Sequence, residues 1–304
     1  MIHPSTFSIV ACDLKEQAWG VAVASKFLSV GAVVPFAQAS VGAIATQSYA
    51  NTSFGPNGLA LLAKGMSAQE ALDKLLAEDE RREMRQVGIV DAMGRAASHT
   101  GKECFAWAGG ITGEGFACQG NILVSRATVE AMASAFEKSK GELADHLYAA
   151  LLAGDKAGGD SRGKQSAALV VVKPKGGYAG FNDRYLDLRV DDHKDPVREL
   201  ASLLKLHRLY FGKTEENQRL VIKDSVAKEL QSVMKRTGDY KGAINGVYDE
   251  ATRKALRAFT GRENLEDRTF LAEGMIDPPA MEYVRERFGV KKKSSPRRTN
   301  GKKK

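Results

Sequence analysis

Cysteine is scarce in this chain of 304 residues, which contains three cysteines and no Cys-x-x-Cys pair. The five histidines show neither His-x-x-x-His nor His-Glu-x-x-His spacing, so no zinc site is predicted. No apolar run approaches the roughly 18–20 residues that a membrane helix needs, so we expect no membrane-spanning segment. An odd number of cysteines, with no secretory signal at the N-terminus, favours a reducing, cytoplasmic location over a disulfide framework.

Specific signals for nucleotide and nucleic-acid binding are also lacking. The Gly-rich stretch 109–120 does not follow the order of a phosphate loop, and no cofactor is predicted. The net charge of +8 comes from residues 291–304, which hold six lysines, two arginines and no acid, while the rest of the chain carries equal numbers of basic and acidic residues. We expect this tail to be disordered and not to form a specific nucleic-acid site.

What the chain does contain is a series of short apolar strands with helices after them. Strands are predicted at residues 6–12, 21–25, 32–36, 41–47, 85–92, 95–100, 167–172 and 185–190. Many of these segments have small, apolar side chains on both faces, which indicates strands that are covered on each side by another layer of secondary structure. Helices are predicted after a capping box formed by Ser67 and Glu70, and at 127–137, 142–153 and 195–210.

The character of the sequence changes after Phe211, where a polar segment leads into a charged, helical region. We therefore predict three parts. They are an N-terminal domain at 1–212, a small helical domain at 213–290 and the basic tail at 291–304.

Thr6 stands at the head of the first predicted strand. A threonine that is itself N-terminal carries two reactive groups, because its hydroxyl can attack a carbonyl while its own α-amine takes the proton. The unperturbed pKa of an α-amine is near ~8, so this base needs little tuning. A threonine at a strand start is nevertheless commonplace, and the position alone does not establish catalysis.

A resemblance to a known family strengthens this interpretation. The segments TFSIVAC, GVAVASKF, ATQSYAN, SHTG, FACQGN, GGDSRGKQSAALVVV, FNDRYLDLRVDDH and DPVRELASLLKLHRLYF resemble the family called domain of unknown function 1028, over about residues 6–211. That family is placed in the N-terminal-nucleophile hydrolase superfamily. The resemblance implies an α+β fold, a four-layer αββα sandwich, and amide-bond hydrolysis with Thr6 as the nucleophile.

The N-terminus departs from the family pattern. Family members commonly begin Met-Thr-Phe-Ser, so that removal of methionine exposes the threonine, whereas here MIHPS precedes Thr6. Catalysis then requires cleavage of the Ser5–Thr6 bond, for which autoproteolysis by the Thr6 hydroxyl is the expected route. A misplaced start codon would give the same apparent leader.

Two charged positions are candidate catalytic partners of Thr6. Lys26 would lower the pKa of the Thr6 hydroxyl or amine by its positive charge, or it is an ordinary surface lysine. Asp160 would hold the N-terminal amine while Arg162 binds a substrate carboxylate. The alternative is a Gly-rich turn with an internal Asp160–Arg162 ion pair.

Polar residues at the ends of apolar strands are candidate substrate-binding groups. They would donate hydrogen bonds to an oxyanion or orient the substrate, or they are polar strand ends that cap turns. These candidates are Thr46, Gln47 and Asn51, and Asn121 is a similar one. Gln165 and Ser166 are further substrate-binding candidates that lie with Asp160 and Arg162 in the segment GGDSRGKQSA, and the alternative for them is a Gly-rich turn.

The second domain resembles the peptidoglycan-binding-like domain. The matching positions are Leu230, Gln231, Gly238, Tyr240, Gly242, Ile244, Gly246, Tyr248, Thr252, Ala255 and Phe259. Nearly all of them are core or turn positions, so they specify a fold and not a ligand. The expected core of a helix–loop–helix at 226–257 consists of Leu230, Met234, Tyr240, Ile244, Val247, Thr252, Ala255, Leu256 and Phe259.

Two function hypotheses follow. The first is an N-terminal-nucleophile amidohydrolase that cleaves a small amide, a peptide or a peptidoglycan-derived substrate. The second is a non-catalytic protein that binds peptide or peptidoglycan fragments on the same scaffold. Assembly into a homo-oligomer stays open in both.

Overall fold

The structure is a computed structural model that describes residues 6–212 and 214–289. The predicted disordered tail at 291–304 lies outside these residues. The chain divides into two compact units between Leu204 and Lys205, whereas the sequence places the domain boundary at 212/213. None of the helices in the described part of the chain is long and apolar enough to cross a membrane.

Two antiparallel sheets make up the strand content of the first unit, and with the helices they confirm the α+β class. Sheet A has the order β10-β9-β2-β1-β8-β7 and sheet B the order β3-β4-β5-β6. The strands of sheet A are β1 (Thr6–Asp13), β2 (Ala18–Ser25), β7 (Gly109–Gly113), β8 (Phe116–Asn121), β9 (Ser166–Val172) and β10 (Arg184–Val190). The strands of sheet B are β3 (Pro35–Gln38), β4 (Gly42–Ser48), β5 (Arg85–Asp91) and β6 (Ala96–Thr100).

Most predicted strands are confirmed, and one is wrong in most of its length. The segment 32–36 does not form a strand throughout, because Val30–Ala32 is a 3₁₀ turn and β3 begins at Pro35. A proline has no N–H to donate, which suits the first residue of an edge strand. Strands β7 and β8 were not predicted, since glycine-rich segments have low strand propensity.

Helices cover the outer face of each sheet. The outer face of sheet B packs on α1 (Phe54–Ala63) and α2 (Ala68–Ala77), where Ile44, Val87 and Leu72 share one apolar cluster. The predicted Ser67–Glu70 capping box begins α2. Helix α1 was missed because Gly55, Pro56 and Gly58 are weak helix formers. A Cβ at Gly58 would lie 2.4 Å from Ile44 Cδ1, so glycine is needed for the close approach of α1 to the sheet.

The outer face of sheet A, which points away from sheet B, packs on α3 (Ala127–Lys138), α4 (Leu143–Lys156) and the first half of α5 (Pro196–Phe211). Phe7 and Ile9 of β1 meet Leu147 of α4 in this cluster. Between the two sheets lies a separate cluster, whose members are Val10, Trp19, Val21, Val23, Ala43, Ala45 and Val90 among others. Successive residues of β1 therefore point alternately to the helices and to the inter-sheet layer.

The second unit contains α6 (Asp224–Thr237), α7 (Glu250–Glu263) and α8 (Pro278–Phe288), with short strands β11 (Leu220–Val221), β12 (Thr269–Phe270) and β13 (Met275–Ile276). Of the predicted core residues, Ile244 and Val247 are wrong, since they are 45% and 54% exposed. Both lie on the loop between α6 and α7, which Gly246 turns with a φ of 82°. The other members of the predicted core, such as Leu230 and Phe259, are buried.

Candidate functional site

Thr6 is the first described residue and begins the strand β1, which lies inside sheet A between β2 and β8. It pairs with Ser25 on one side and with Asn121 on the other. The side chain is fully buried, and its hydroxyl donates to the Ser25 hydroxyl over 3.3 Å. By the alternation of β1, this hydroxyl points into the inter-sheet layer, on the same face as Val10.

Gln47 of sheet B reaches across this layer to the backbone of Thr6. Its Nε2 donates to the Thr6 carbonyl over 3.2 Å and to Gln86 Oε1 over 2.9 Å. Its Oε1 accepts a 2.6 Å hydrogen bond from the Ser8 hydroxyl. The predicted substrate-binding residue Gln47 is thus beside Thr6, with both ends of its amide hydrogen-bonded to the protein.

Asn121 lies in the same layer and is also fully buried. Its Nδ2 donates to Gln86 Oε1 over 2.9 Å. Gln86 in turn donates from Nε2 to Thr100 Oγ1 and to the Gly120 carbonyl, over 2.9 Å and 2.8 Å. Buried amides therefore connect β8 of sheet A with β4, β5 and β6 of sheet B near Thr6.

Thr46 lies on the opposite face of sheet B, and Asn51 lies in the segment that follows β4. Thr46 alternates with Gln47, and its hydroxyl donates to the Asn51 carbonyl over 3.2 Å. The Asn51 amide donates to Asp79 Oδ2 over 3.0 Å. Arg85 holds Asp79 by two hydrogen bonds, of 2.8 Å and 3.2 Å, and lowers the pKa of that carboxyl to about 2. These contacts fix the turn after β4.

Asp160 and Arg162 form the internal pair that the sequence left open as an alternative. Asp160 has a side chain only 2% exposed, and its Oδ2 accepts from the Lys26 backbone N–H over 2.7 Å. The Arg162 guanidinium donates to both oxygens of Asp160 and, over 3.2 Å, to the Lys26 carbonyl. The pair thereby connects the loop before β9 to the backbone of Lys26, the residue that follows Ser25 at the end of β2.

The Lys26 ammonium is exposed and donates to the Lys164 carbonyl over 3.3 Å. The contact of Lys26 with Asp160 runs through its backbone and not through its charge. Strand β2 ends at Ser25, which pairs with Thr6, and Lys26 is the next residue. The side chain that faces Thr6 across the β1–β2 pair is therefore that of Ser25 and not that of Lys26.

Gln165 and Ser166 hold neighbouring backbone in place. Ser166 donates to the Phe27 carbonyl and accepts from the Val30 N–H over 3.1 Å, which ties down the segment after β2. Gln165 is half-buried, and its amide donates to Asp192 Oδ1 over 3.1 Å.

The structure adds four polar residues to the candidate site that the sequence interpretation missed. Ser25 contacts Thr6 directly, and Ser8, Gln86 and Gln119 are fully buried in the layer beside it. A signal was present in the sequence, because Gln86 directly precedes the apolar run of RQVGIVD and Gln119 directly follows that of FACQGN. Buried amides in such strands need partners in a facing sheet.

The described residues near Thr6 form neither a reactive thiol site nor a metal site. Burial raises the pKa of the Cys12 thiol to about 12 and also raises that of Cys118, which disfavours reactive thiolates. His99 has its Nε2 3.0 Å from the Arg82 carbonyl. Within the described ranges, no group of three His, Cys, Asp or Glu residues could hold a metal ion.

Comparison with known proteins assigns the first unit to a protein family. Residues 6–200 match the model of a family of unknown function, DUF1028. The chain belongs to this family. A crystal structure of a Silicibacter pomeroyi protein labelled with the same family is 30% identical, covers 70% of this chain and 91% of its own, and superposes with a TM-score of 0.62.

The second unit has a match of its own. Residues 210–284 match the model described as "Putative peptidoglycan binding domain". This supports the peptidoglycan-binding-like domain expected from the sequence. A search of curated proteins finds no match to the chain.

Proposed function

We propose that this DUF1028 protein is an N-terminal-nucleophile amidohydrolase on a four-layer αββα sandwich, with Thr6 as its nucleophile. The observation that carries the proposal is the position of Thr6 at the head of the central strand β1, with its hydroxyl on the inter-sheet face 3.3 Å from Ser25 Oγ. The helices on both outer faces and the facing sheets are consistent with such a sandwich.

Activation would begin with the bond between Ser5 and Thr6. The Thr6 Oγ attacks the Ser5 carbonyl carbon, the C–N bond breaks, and the Thr6 nitrogen takes up the proton that the hydroxyl loses. Water then hydrolyses the resulting ester, which releases residues 1–5 with a carboxylate and leaves Thr6 with a free α-amine. That amine is the base for the next reaction.

Turnover would repeat the same chemistry on a substrate amide. The Thr6 hydroxyl attacks the amide carbonyl while the α-amine accepts its proton and passes it to the departing amine. Water hydrolyses the acyl ester and restores the hydroxyl. Ser25, which already accepts the Thr6 hydrogen bond, is the side chain placed to orient the hydroxyl.

The test is intact-mass spectrometry with N-terminal sequencing of the purified full chain. Wild type should yield a species that begins at Thr6, and Thr6→Ala should not. Thr128→Ala is the matched control, because Thr128 is an equally buried threonine that begins no strand and whose hydroxyl has no hydrogen-bond partner in the described structure. Cleavage before residue 6 that persists in Thr6→Ala would contradict the proposal.

A second candidate function is the binding of peptide or peptidoglycan fragments without catalysis, and the match of residues 210–284 supports the binding part of it. Under this alternative, Ser5–Thr6 stays intact and the chain sediments with insoluble peptidoglycan. Uncleaved, catalytically inactive protein that sediments with peptidoglycan would support this alternative. Protein that stays in the supernatant would contradict it.

A further inference from the structure

The inter-sheet layer near Thr6 contains a chain of hydrogen bonds that the proposed reaction does not use directly. Gln119 Nε2 donates to Ser8 Oγ over 2.7 Å, Ser8 Oγ donates to Gln47 Oε1 over 2.6 Å, and Gln47 Nε2 donates to the Thr6 carbonyl over 3.2 Å. We call Gln119, Ser8 and Gln47 the relay. All three side chains are fully buried.

The relay has a fixed direction. Ser8 has a single hydroxyl proton and gives it to Gln47 Oε1, while its oxygen accepts from Gln119. Because Gln47 Oε1 is held in this way, its NH₂ group must face the Thr6 carbonyl. Hydrogen bonds in series also polarise one another, so removing an early member should weaken the last.

The relay includes a buried polar atom that has no hydrogen-bond partner among the described residues. Gln119 Oε1 is buried and accepts no hydrogen bond from the described residues. A buried acceptor without a partner costs free energy that an apolar side chain of similar size would avoid. Sites that violate packing rules in this manner are commonly those that serve function.

The surrounding backbone is shaped to keep Gln119 where it is. A Cβ on Gly88 of β5 would lie 2.1 Å from Gln119 Oε1, 2.6 Å from Gln119 Cδ and 2.7 Å from Gln119 Nε2. Glycine at this position therefore leaves room for the Gln119 amide between the sheets. The position of the relay thus depends on a residue that has no side chain to hydrogen-bond to it.

We infer that Gln119 and Ser8 are positioning residues, which act through Gln47 to hold the Thr6–Phe7 peptide unit and so keep the Thr6 hydroxyl at Ser25. The link to catalysis rests on the proposed function, while the hold on the peptide unit does not. The need for such a hold is greatest once Ser5–Thr6 is cleaved, because Thr6 is then a free chain end.

The experiment uses Ser8→Ala and Gln119→Leu in the full chain, with Ser98→Ala as the matched control. Ser98 lies in the same layer on β6, and its buried hydroxyl has no hydrogen-bond partner in the described structure. Two quantities are measured. One is the hydrogen-exchange rate of the Phe7 amide by NMR, which belongs to the same peptide unit as the Thr6 carbonyl, and the other is the rate of Ser5–Thr6 cleavage by mass spectrometry.

Each relay variant should raise Phe7 exchange and slow the cleavage by about tenfold, the effect expected from loss of one buried hydrogen bond. The double variant should do no more than the stronger single one, because both changes interrupt one chain. Ser98→Ala should change neither rate.

Unchanged Phe7 exchange in both Ser8→Ala and Gln119→Leu overturns the inference. Raised exchange with a wild-type cleavage rate overturns the part that concerns catalysis. Raised exchange in a protein whose wild type is never cleaved supports the hold on Thr6 and instead refutes the proposed function.

Discussion

The two ends of the inter-sheet layer differ in chemistry although the same strands build both. One end is apolar, and the side chains that fill it include Val10, Trp19, Val21, Ala43 and Val90. The other end, where β1 begins, is polar, with Thr6, Ser8, Gln47, Gln86, Gln119 and Asn121 all fully buried. The apolar end stabilises the fold by burial, whereas the polar end orients groups around Thr6.

This contrast separates stability from candidate function. Burying apolar surface contributes about 25 cal/mol per Å², while a buried hydrogen bond contributes only about 1 kcal/mol net and an unmade one costs more. Changes at the apolar end should therefore unfold the protein, and changes at the polar end should alter chemistry at Thr6 with modest loss of stability.

Trp19→Ala should have the largest effect on stability. Trp19 is 1% exposed in the apolar end, and its indole donates to the Asp91 carbonyl over 3.2 Å. We expect the free energy of unfolding in urea to fall by about 3–5 kcal/mol. Trp19→Phe, which keeps most of the apolar volume, should lose clearly less. Equal losses in the two variants would show that the indole hydrogen bond, and not burial, dominates there.

Gly88→Ala should disturb the polar end without changing any of its polar side chains. The new methyl group would lie 2.1 Å from Gln119 Oε1, so the amide must move. We expect a loss of about 1–3 kcal/mol in urea unfolding together with slower cleavage at Ser5–Thr6. Gly261→Ala, in α7 with the nearest atom at 3.8 Å, should instead be neutral or slightly stabilising. Undisturbed cleavage in Gly88→Ala would argue against the relay.

Asp79 should make stability depend on acid pH. Its pKa is lowered from 3.8 to about 2, chiefly by the hydrogen bond from Arg85, so its contribution is present above pH 4 and disappears as the pH falls through about 2. A shift of this size corresponds to about 2 kcal/mol. Asp79→Asn should lack this part of the acid-dependent loss when urea unfolding is compared between pH 5 and pH 2. An identical pH profile for the two proteins would contradict the assignment.

Gln119→Leu should have the smallest effect on stability. The substitution removes a buried acceptor that has no partner but also removes the hydrogen bond to Ser8. These terms oppose each other, so we expect the free energy of unfolding to change by less than about 1 kcal/mol. A loss as large as that of Trp19→Ala would mean that the polar end is primarily structural.

Much of the fold could be predicted from sequence, because it depends on local patterns. The alternation in TFSIVAC and the Ser67–Glu70 capping box predict elements that the structure contains. The glycine-rich strand β7 and the helix α1 could not be predicted in this way. Gly113 of β7 closely approaches Phe116 of β8, and Gly58 of α1 closely approaches Ile44 of β4. Such contacts between elements are not visible in a local sequence pattern.

The candidate site was less predictable for the same reason. Thr46 and Gln47 are adjacent in sequence, and only strand alternation places Gln47 at Thr6 and Thr46 on the outer face. The hydrogen bond from the Lys26 N–H to Asp160 joins residues that are 134 positions apart, so it could not be predicted from the sequence. Contacts between sheets become visible only when the register is known.

The most direct test of the central claim compares Thr6→Ser with Thr6→Val in the full chain. Serine keeps the hydroxyl that the proposed chemistry needs, whereas valine keeps the buried volume and removes the hydroxyl. Intact-mass spectrometry should show a species that begins at residue 6 for wild type and Thr6→Ser, and none for Thr6→Val at a similar urea midpoint. Equal cleavage in Thr6→Ser and Thr6→Val would contradict the account.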